Sequence, residues 1–177
     1  MSDPMQPLGG EIVFDGKTFS VRVERFRHHD GEQVEREIVR RQDAAAIVAY
    51  DDACVWLVRQ PREAIAQYTH ELPAGKLDVE GESPLQTAQR ELAEEIGKSA
   101  QSWQPVISCF SSSGYSDEEV HIFAATGLCD VDADSDPGER IEIVRWPLAD
   151  LDDAIETCKD AKTVLGLQWL AAQRRTS

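Results

Sequence analysis

Apolar positions fall into three regimes along the chain. Residues 11–14 and 19–27 are predicted strands in which Val21, Val23 and Phe26 alternate with charge. Asp30-Gly31 reads as a hairpin turn, after which Val34–Val39 forms the returning strand. So thin an apolar supply leaves a hairpin marginal on its own. Ala44–Tyr50 (AAAIVAY) and Val55–Arg59 (VWLVR) are near-continuous apolar runs, the pattern of strands buried on both faces. After residue 83 the period becomes helical, with Leu85, Ala88, Leu92 and Ile96 on one stripe. Val106–Phe110, Val120–Ala124 and Ile141–Trp146 are predicted strands. Residues 148–160 and 162–173 are predicted helices, with Leu151, Ile155, Val164, Leu167 and Leu170 on apolar faces.

This order predicts one mixed α/β (α+β) domain, with room for a single core in 177 residues. Residues 1–42 form a β arm and 43–177 the main body. No apolar run approaches the ~18 residues needed to span a bilayer, and the first residues lack a signal-peptide pattern. Cys54, Cys109, Cys129 and Cys158 are scattered, so a reducing cytoplasm is expected, with Cys54 and Cys109 as small buried hydrophobes. A net charge of −15 argues against nucleic acid or an anionic membrane as partner. His28, His29 and His70 have no cysteines at ligand spacing, which argues against zinc.

The helix after residue 83 has complete end signals. Ser83 is a good N-cap, Pro84 suits the first position, Gln86 completes a capping box, and Gly97 fits a left-handed C-terminal cap. On such a helix Glu94 lies ~60° to one side of Glu91 and Glu95 ~40° to the other. These like charges repel along one ridge, which is expected on the face away from the core. Either the ridge is a solvated acidic face or a hard cation neutralises it. Oxygen-only ligands suit Mg²⁺ or Mn²⁺.

The stretch from Gly75 to Lys98 resembles the Nudix box: a glycine, five residues, a glutamate, seven residues, then R-E-U-x-E-E-x-G-U, where U is bulky and apolar. Gly75, Glu82, Arg90, Glu91, Leu92, Glu94, Glu95 and Gly97 match. The first gap holds six residues, Lys76 to Gly81, and Lys98 stands at the last apolar position. The insertion falls in the loop before the helix, and Lys98 lies at the helix's negative pole. Neither departure removes a carboxylate. Glu71-Leu72-Pro73-Ala74-Gly75, Ser113-Gly114-Tyr115-Ser116-Asp117-Glu118, Arg59-Gln60-Pro61-Arg62 and Glu35-Arg36-Glu37 are similar to the ADP-ribose pyrophosphatase branch of that family, over about residues 11–150. Ser113 replaces that branch's usual proline.

The resemblance implies a Nudix-type α/β/α sandwich with a mixed sheet and an N-terminal β arm. It further implies a homodimer in which the arm reaches the partner's site. The implied activity is cleavage of ADP-ribose to AMP and ribose 5-phosphate with Mg²⁺ or Mn²⁺. Another nucleoside diphosphate sugar is the alternative substrate, and a non-catalytic ligand sensor the alternative class. Glu91, Glu95 and the Ala74 carbonyl would be metal ligands. Glu94 is either a ligand, a holder of metal-bound water, or an exposed surface glutamate. Gly75, Glu82, Arg90 and Gly97 would be structural, with Arg90 and Glu82 paired. Arg62 is either a phosphate clamp or a solvated loop arginine. Arg36, Glu37 and Glu118 either recognise the adenosine or terminal ribose or are exposed charges. In the acidic loop Asp130–Glu142, Glu139 is the first choice of general base and Glu142 the second, the alternative being a simply solvated acidic connection.

Overall fold

The computed structural model describes residues 5–133 and 140–176. The chain divides into two compact units, Met1–Gln42 with Phe110–Glu119, and Asp43–Cys109 with Val120–Ser177.

In the first unit, β1 (Gln6–Asp15), β2 (Ser20–Arg27) and β3 (Gln33–Arg40) form an antiparallel sheet in that order. The Asp30-Gly31 turn closes as expected. Gly31 takes φ +87°, and the His28 amide donates to the Glu32 carbonyl at 2.8 Å. β1 starts five residues before the predicted 11–14 strand, because Pro7, Gly9 and Gly10 hide it from any apolar alternation. Gly10 is needed there, since a Cβ would fall 2.2 Å from the Val23 carbonyl oxygen. Among the described residues this unit buries no apolar side chain; Ile12, Val13, Phe14 and Phe19 are all exposed. Charge pairs tie it instead. Arg40 reaches Glu24 at 2.9 Å and Asp117 at 2.8 Å, and the Val39 amide donates to Tyr115 at 2.7 Å.

The second unit centres on β4 (Ala44–Tyr50), which pairs in parallel with β9 (Glu119–Asp130) and antiparallel with β5 (Cys54–Arg62). The sheet order is β10-β5-β4-β9-β8, with β10 at Glu142–Pro147 and β8 at Lys98–Phe110. β6 (Gln67–Glu71) pairs with β5, and β7 (Ala74–Lys76) with β4. β4 is apolar throughout because both its faces are buried. Ala46 and Val48 join Leu57, Leu151, Leu167 and Leu170 in one core. Ala45, Ile47 and Ala49 join Ala88, Leu92 and Ile96 of α1 (Pro84–Ile96) in the other. The result is the expected sandwich: α1 on one face, with α2 (Leu151–Thr157) and α3 (Ala161–Thr176) on the other.

Two strands and the first half of a third were not legible. β6 (QYTHE) offers too little apolar pattern, β7 is three residues long, and the polar start KSAQSW hides the first half of β8. The predicted helix 148–160 is a 3₁₀ turn, Leu148–Asp150, followed by the short α2. It stops because Asp160 begins the next helix, accepting from the Thr163 amide at 3.1 Å. Cys109 is half-buried rather than buried, and Cys54 is buried. No helix of the described residues is long and apolar enough to cross a membrane.

Candidate active site

α1 forms as its end signals require. The Ser83 side chain accepts from the Gln86 amide, the Ser83 amide donates to the Gln86 side chain at 2.9 Å, and Gly97 closes the helix at φ +64°. The ridge does not face away from the core, however. Glu91 and Glu95 are only 8% and 9% exposed, because the backbone of β7 lies against them. The Ala74 amide donates to Glu95 Oε2 at 2.9 Å, and a Cβ on Gly75 would fall 1.9 Å from the Glu91 carboxyl carbon. Helical periodicity places three carboxylates on one ridge but cannot show that another strand's backbone covers two of them. Glu94 stays half-exposed.

Arg90 is spread across this cluster. Its Nη1 donates to Glu91 at 2.6 Å and Glu94 at 3.0 Å, its Nε to Glu82 at 3.3 Å, and its Nη2 to the Lys76 carbonyl at 3.3 Å. The expected Arg90–Glu82 pair is therefore one part of a larger tie between helix and loop, completed by Thr87 donating to Glu82 at 3.1 Å. Burial works against the Arg90 charge, but Glu91, Glu94 and Glu82 outweigh it and raise its pKa above the usual arginine value. Among the described residues no three His, Cys, Asp or Glu side chains converge as a preformed metal cage. The donors are nonetheless all oxygen, and Gly75 leaves the Glu91 carboxylate room. All-oxygen donors suit a hard divalent cation rather than a soft one.

A second polar centre was missed. Glu71, at the end of β6, is 2% exposed and accepts from Arg62 Nε at 2.6 Å, Arg62 Nη2 at 2.7 Å, Lys162 Nζ at 2.5 Å and Thr69 Oγ1 at 2.6 Å. Burial pushes its pKa up, but these four donations win and hold it at about 2. Arg62 is thus neither a free phosphate clamp nor a solvated loop arginine in this state; a bidentate ion pair fixes it. No local pattern announces this centre, because β6 is itself not legible; only the Glu71-Leu72-Pro73-Ala74-Gly75 motif marks the residue, and it does not give the role.

Each of the other candidates has its own local setting. Arg36 and Glu37 are exposed on β3, Arg36 donating to the Glu35 carbonyl at 2.7 Å. Glu118 is buried and paired with Arg41 at 3.3 Å. Glu142 opens β10, exposed, with Arg59 at 2.9 Å. Glu139 lies outside the described residues. Lys98 is held in an ion pair with Asp130 and stands 4.6 Å over the Trp56 ring.

Residues 40–167 match the family described as the NUDIX domain. An ADP-ribose pyrophosphatase of Bacillus subtilis (strain 168) is 34% identical over 168 residues, covering 92% of this chain and 90% of that protein. An ADP-ribose pyrophosphatase of Mycobacterium tuberculosis is 41% identical over 127 residues, covering 71% of this chain and 61% of its relative. The crystal structure of an ADP compounds hydrolase superposes with a TM-score of 0.87 at 25% identity, covering 98% of this chain and 96% of that one. Nudix hydrolases generally need a divalent metal. With a matching domain over most of its length and the box carboxylates on their helix, the chain belongs to the Nudix family, as a diphosphate-hydrolysing enzyme.

Proposed function

We propose that the protein hydrolyses ADP-ribose to AMP and ribose 5-phosphate with Mg²⁺ or Mn²⁺. The observation that carries this reading is the gathering of Glu91 and Glu95 onto the Ala74–Gly75 backbone, in a chain with an ADP-ribose pyrophosphatase among its near-full-length relatives. Water adds across the diphosphate, one phosphorus–oxygen bond breaks, and the bridging oxygen leaves with the other phosphate. A divalent cation held by Glu91, Glu95 and the Ala74 carbonyl would offset charge on those oxygens and acidify water.

The chain's own residues supply the rest. Gly75 keeps the Glu91 carboxylate clear, and the Ala74 amide orients Glu95. Arg90 holds helix to loop through Glu82, with Glu94 at the outer edge of the cluster. Arg62 binds phosphate through the nitrogen left outside its Glu71 pair. Arg36, Glu37 and Glu118 recognise the nucleoside or terminal ribose, and Glu139 takes the proton from water. The enzyme works as a homodimer in the cytoplasm.

Incubation with a panel of nucleoside diphosphate sugars and dinucleotides plus Mg²⁺, with products identified by mass spectrometry, tests this reading. AMP and ribose 5-phosphate released fastest from ADP-ribose supports it. Preference for another sugar moves the specificity, and cleavage of none leaves a ligand-sensing module.

A further inference from the structure

We propose that Glu71 is a positioning residue for catalysis: from the base of α3 it aims the Arg62 guanidinium at the substrate phosphate before substrate arrives. This rests on the reading of Arg62 as a phosphate ligand.

Fully removed from water, Glu71 must be neutralised, and two cations from distant parts of the chain meet it, Arg62 from β5 and Lys162 from the first turn of α3. The Arg62 pair is bidentate, which fixes the plane of the guanidinium as well as its position. Thr69 and Lys162 each take one carboxylate oxygen, so the acceptor is itself held. Lys162 is held in turn by Asp160 at 3.0 Å, and Asp160 caps α3 through Thr163.

This network is continuous with the carboxylate site. The Thr163 hydroxyl accepts from the Leu72 amide at 2.9 Å, and Pro73 accepts from Ile47 at 2.9 Å. The next residue, Ala74, donates to Glu95. Gly166 lets α3 sit flush here, since a Cβ would fall 2.7 Å from Leu72 and 2.8 Å from Val48. Segment 71–74 is thereby pinned at both ends, one aiming Arg62 and the other Glu95. The Arg62 side chain is still 45% exposed, and the Glu95 charge reaches it through space. A guanidinium locked along one edge and open along the other loses little freedom when it binds an anion.

Glu71→Asp keeps the charge but withdraws the carboxylate by one methylene, and Glu71→Gln removes the charge. With ADP-ribose and Mg²⁺, each should raise KM about 10-fold, with kcat changed less than about 3-fold, as expected when ground-state and transition-state contacts weaken together. In an Arg62→Ala background the same substitutions should add less than about 2-fold, because coupled residues are non-additive. A wild-type KM in folded Glu71→Asp, or equal losses in both backgrounds, overturns the proposal. A normal KM for Arg62→Ala overturns instead the phosphate role of Arg62. A substrate-independent measurement covers the case in which the Glu71 variants do not fold. In ¹⁵N spectra of the wild-type protein without substrate, the Arg62 Nε–H, assigned by its loss in Arg62→Lys, should be slowly exchanging and distinct from solvated arginines. A fast-exchanging signal among those of the exposed arginines overturns the pre-aimed guanidinium.

Discussion

The Glu91 carboxylate occupies the space where a side chain at Gly75 would begin, 1.9 Å from the position of its Cβ. Gly75 is not at positive φ, so its need is room for Glu91 rather than backbone freedom. Gly75→Ala should push the carboxylate aside. Turnover is expected to fall by roughly 10²-fold, the scale of a 1 Å misplacement at a reacting centre. Stability should fall by only about 1–3 kcal/mol, as for ordinary overpacking. An alanine variant with wild-type turnover would show that Glu91 has no fixed task.

Glu95→Gln isolates the second buried carboxylate. The amide keeps an oxygen for the Ala74 amide, so fold and melting temperature should be nearly unchanged. Turnover should drop at least ~10²-fold, the cost of removing one element of preorganised electrostatics. Mn²⁺ titration followed by electron paramagnetic resonance should show weaker binding without any substrate. Near-normal binding and turnover would remove Glu95 from the ligand set.

How much of this was legible follows from the kind of signal each residue carries. The α1 boundaries, its apolar stripe and the Asp30-Gly31 turn rest on interactions a few residues apart, and sequence spacing records them. The doubly buried β4 was legible because its composition alone states the burial. Glu71 meets Lys162 across 91 residues, and Glu91 and Glu95 are covered by a three-residue strand. Such contacts depend on topology, which no local period encodes. The ADP-ribose pyrophosphatase motif marked Glu71 without saying what it does.

The base assignment separates two glutamates three residues apart. Glu142 is paired with Arg59 on a paired strand, a setting that needs no catalytic role. Glu139→Gln should lower kcat strongly with little change in KM, the signature of a loss confined to the transition state. Glu142→Gln should keep most turnover. Steady-state kinetics on both variants decides, and the reverse pattern moves the base to Glu142.

Acid stability should report Glu71. Its pKa of about 2 in the folded protein lies below the ordinary 4.5. Its pairing therefore stabilises the fold above about pH 4.5, and that contribution disappears as pH falls towards 2. Integrated, the shift is worth up to about 3 kcal/mol. Urea midpoints for wild type and Glu71→Gln should differ most at neutral pH and converge near pH 2–3. A difference independent of pH would mean that the carboxylate keeps no depressed pKa.

The arm bears on assembly. Its described residues bury no apolar side chain, although Ile12, Val13, Phe14 and Phe19 are available, and charge pairs such as Arg40–Glu24 bind its strands to one another. Ion pairs near a protein's surface contribute little stability, so a three-stranded sheet without a core needs an apolar surface to lie on. The proposed dimer supplies that surface on a second subunit, where Arg36 or Glu37 would meet the partner's substrate. Deleting residues 1–40 removes none of the box carboxylates, so Mn²⁺ binding should persist. The truncated chain should be a monomer or aggregate, with KM for ADP-ribose raised at least ~10-fold, the scale of one lost charged hydrogen bond. Light scattering of the intact protein at micromolar concentration is the direct test. A monomer that cleaves ADP-ribose at full rate would mean that each chain carries a complete site and that the arm serves another purpose.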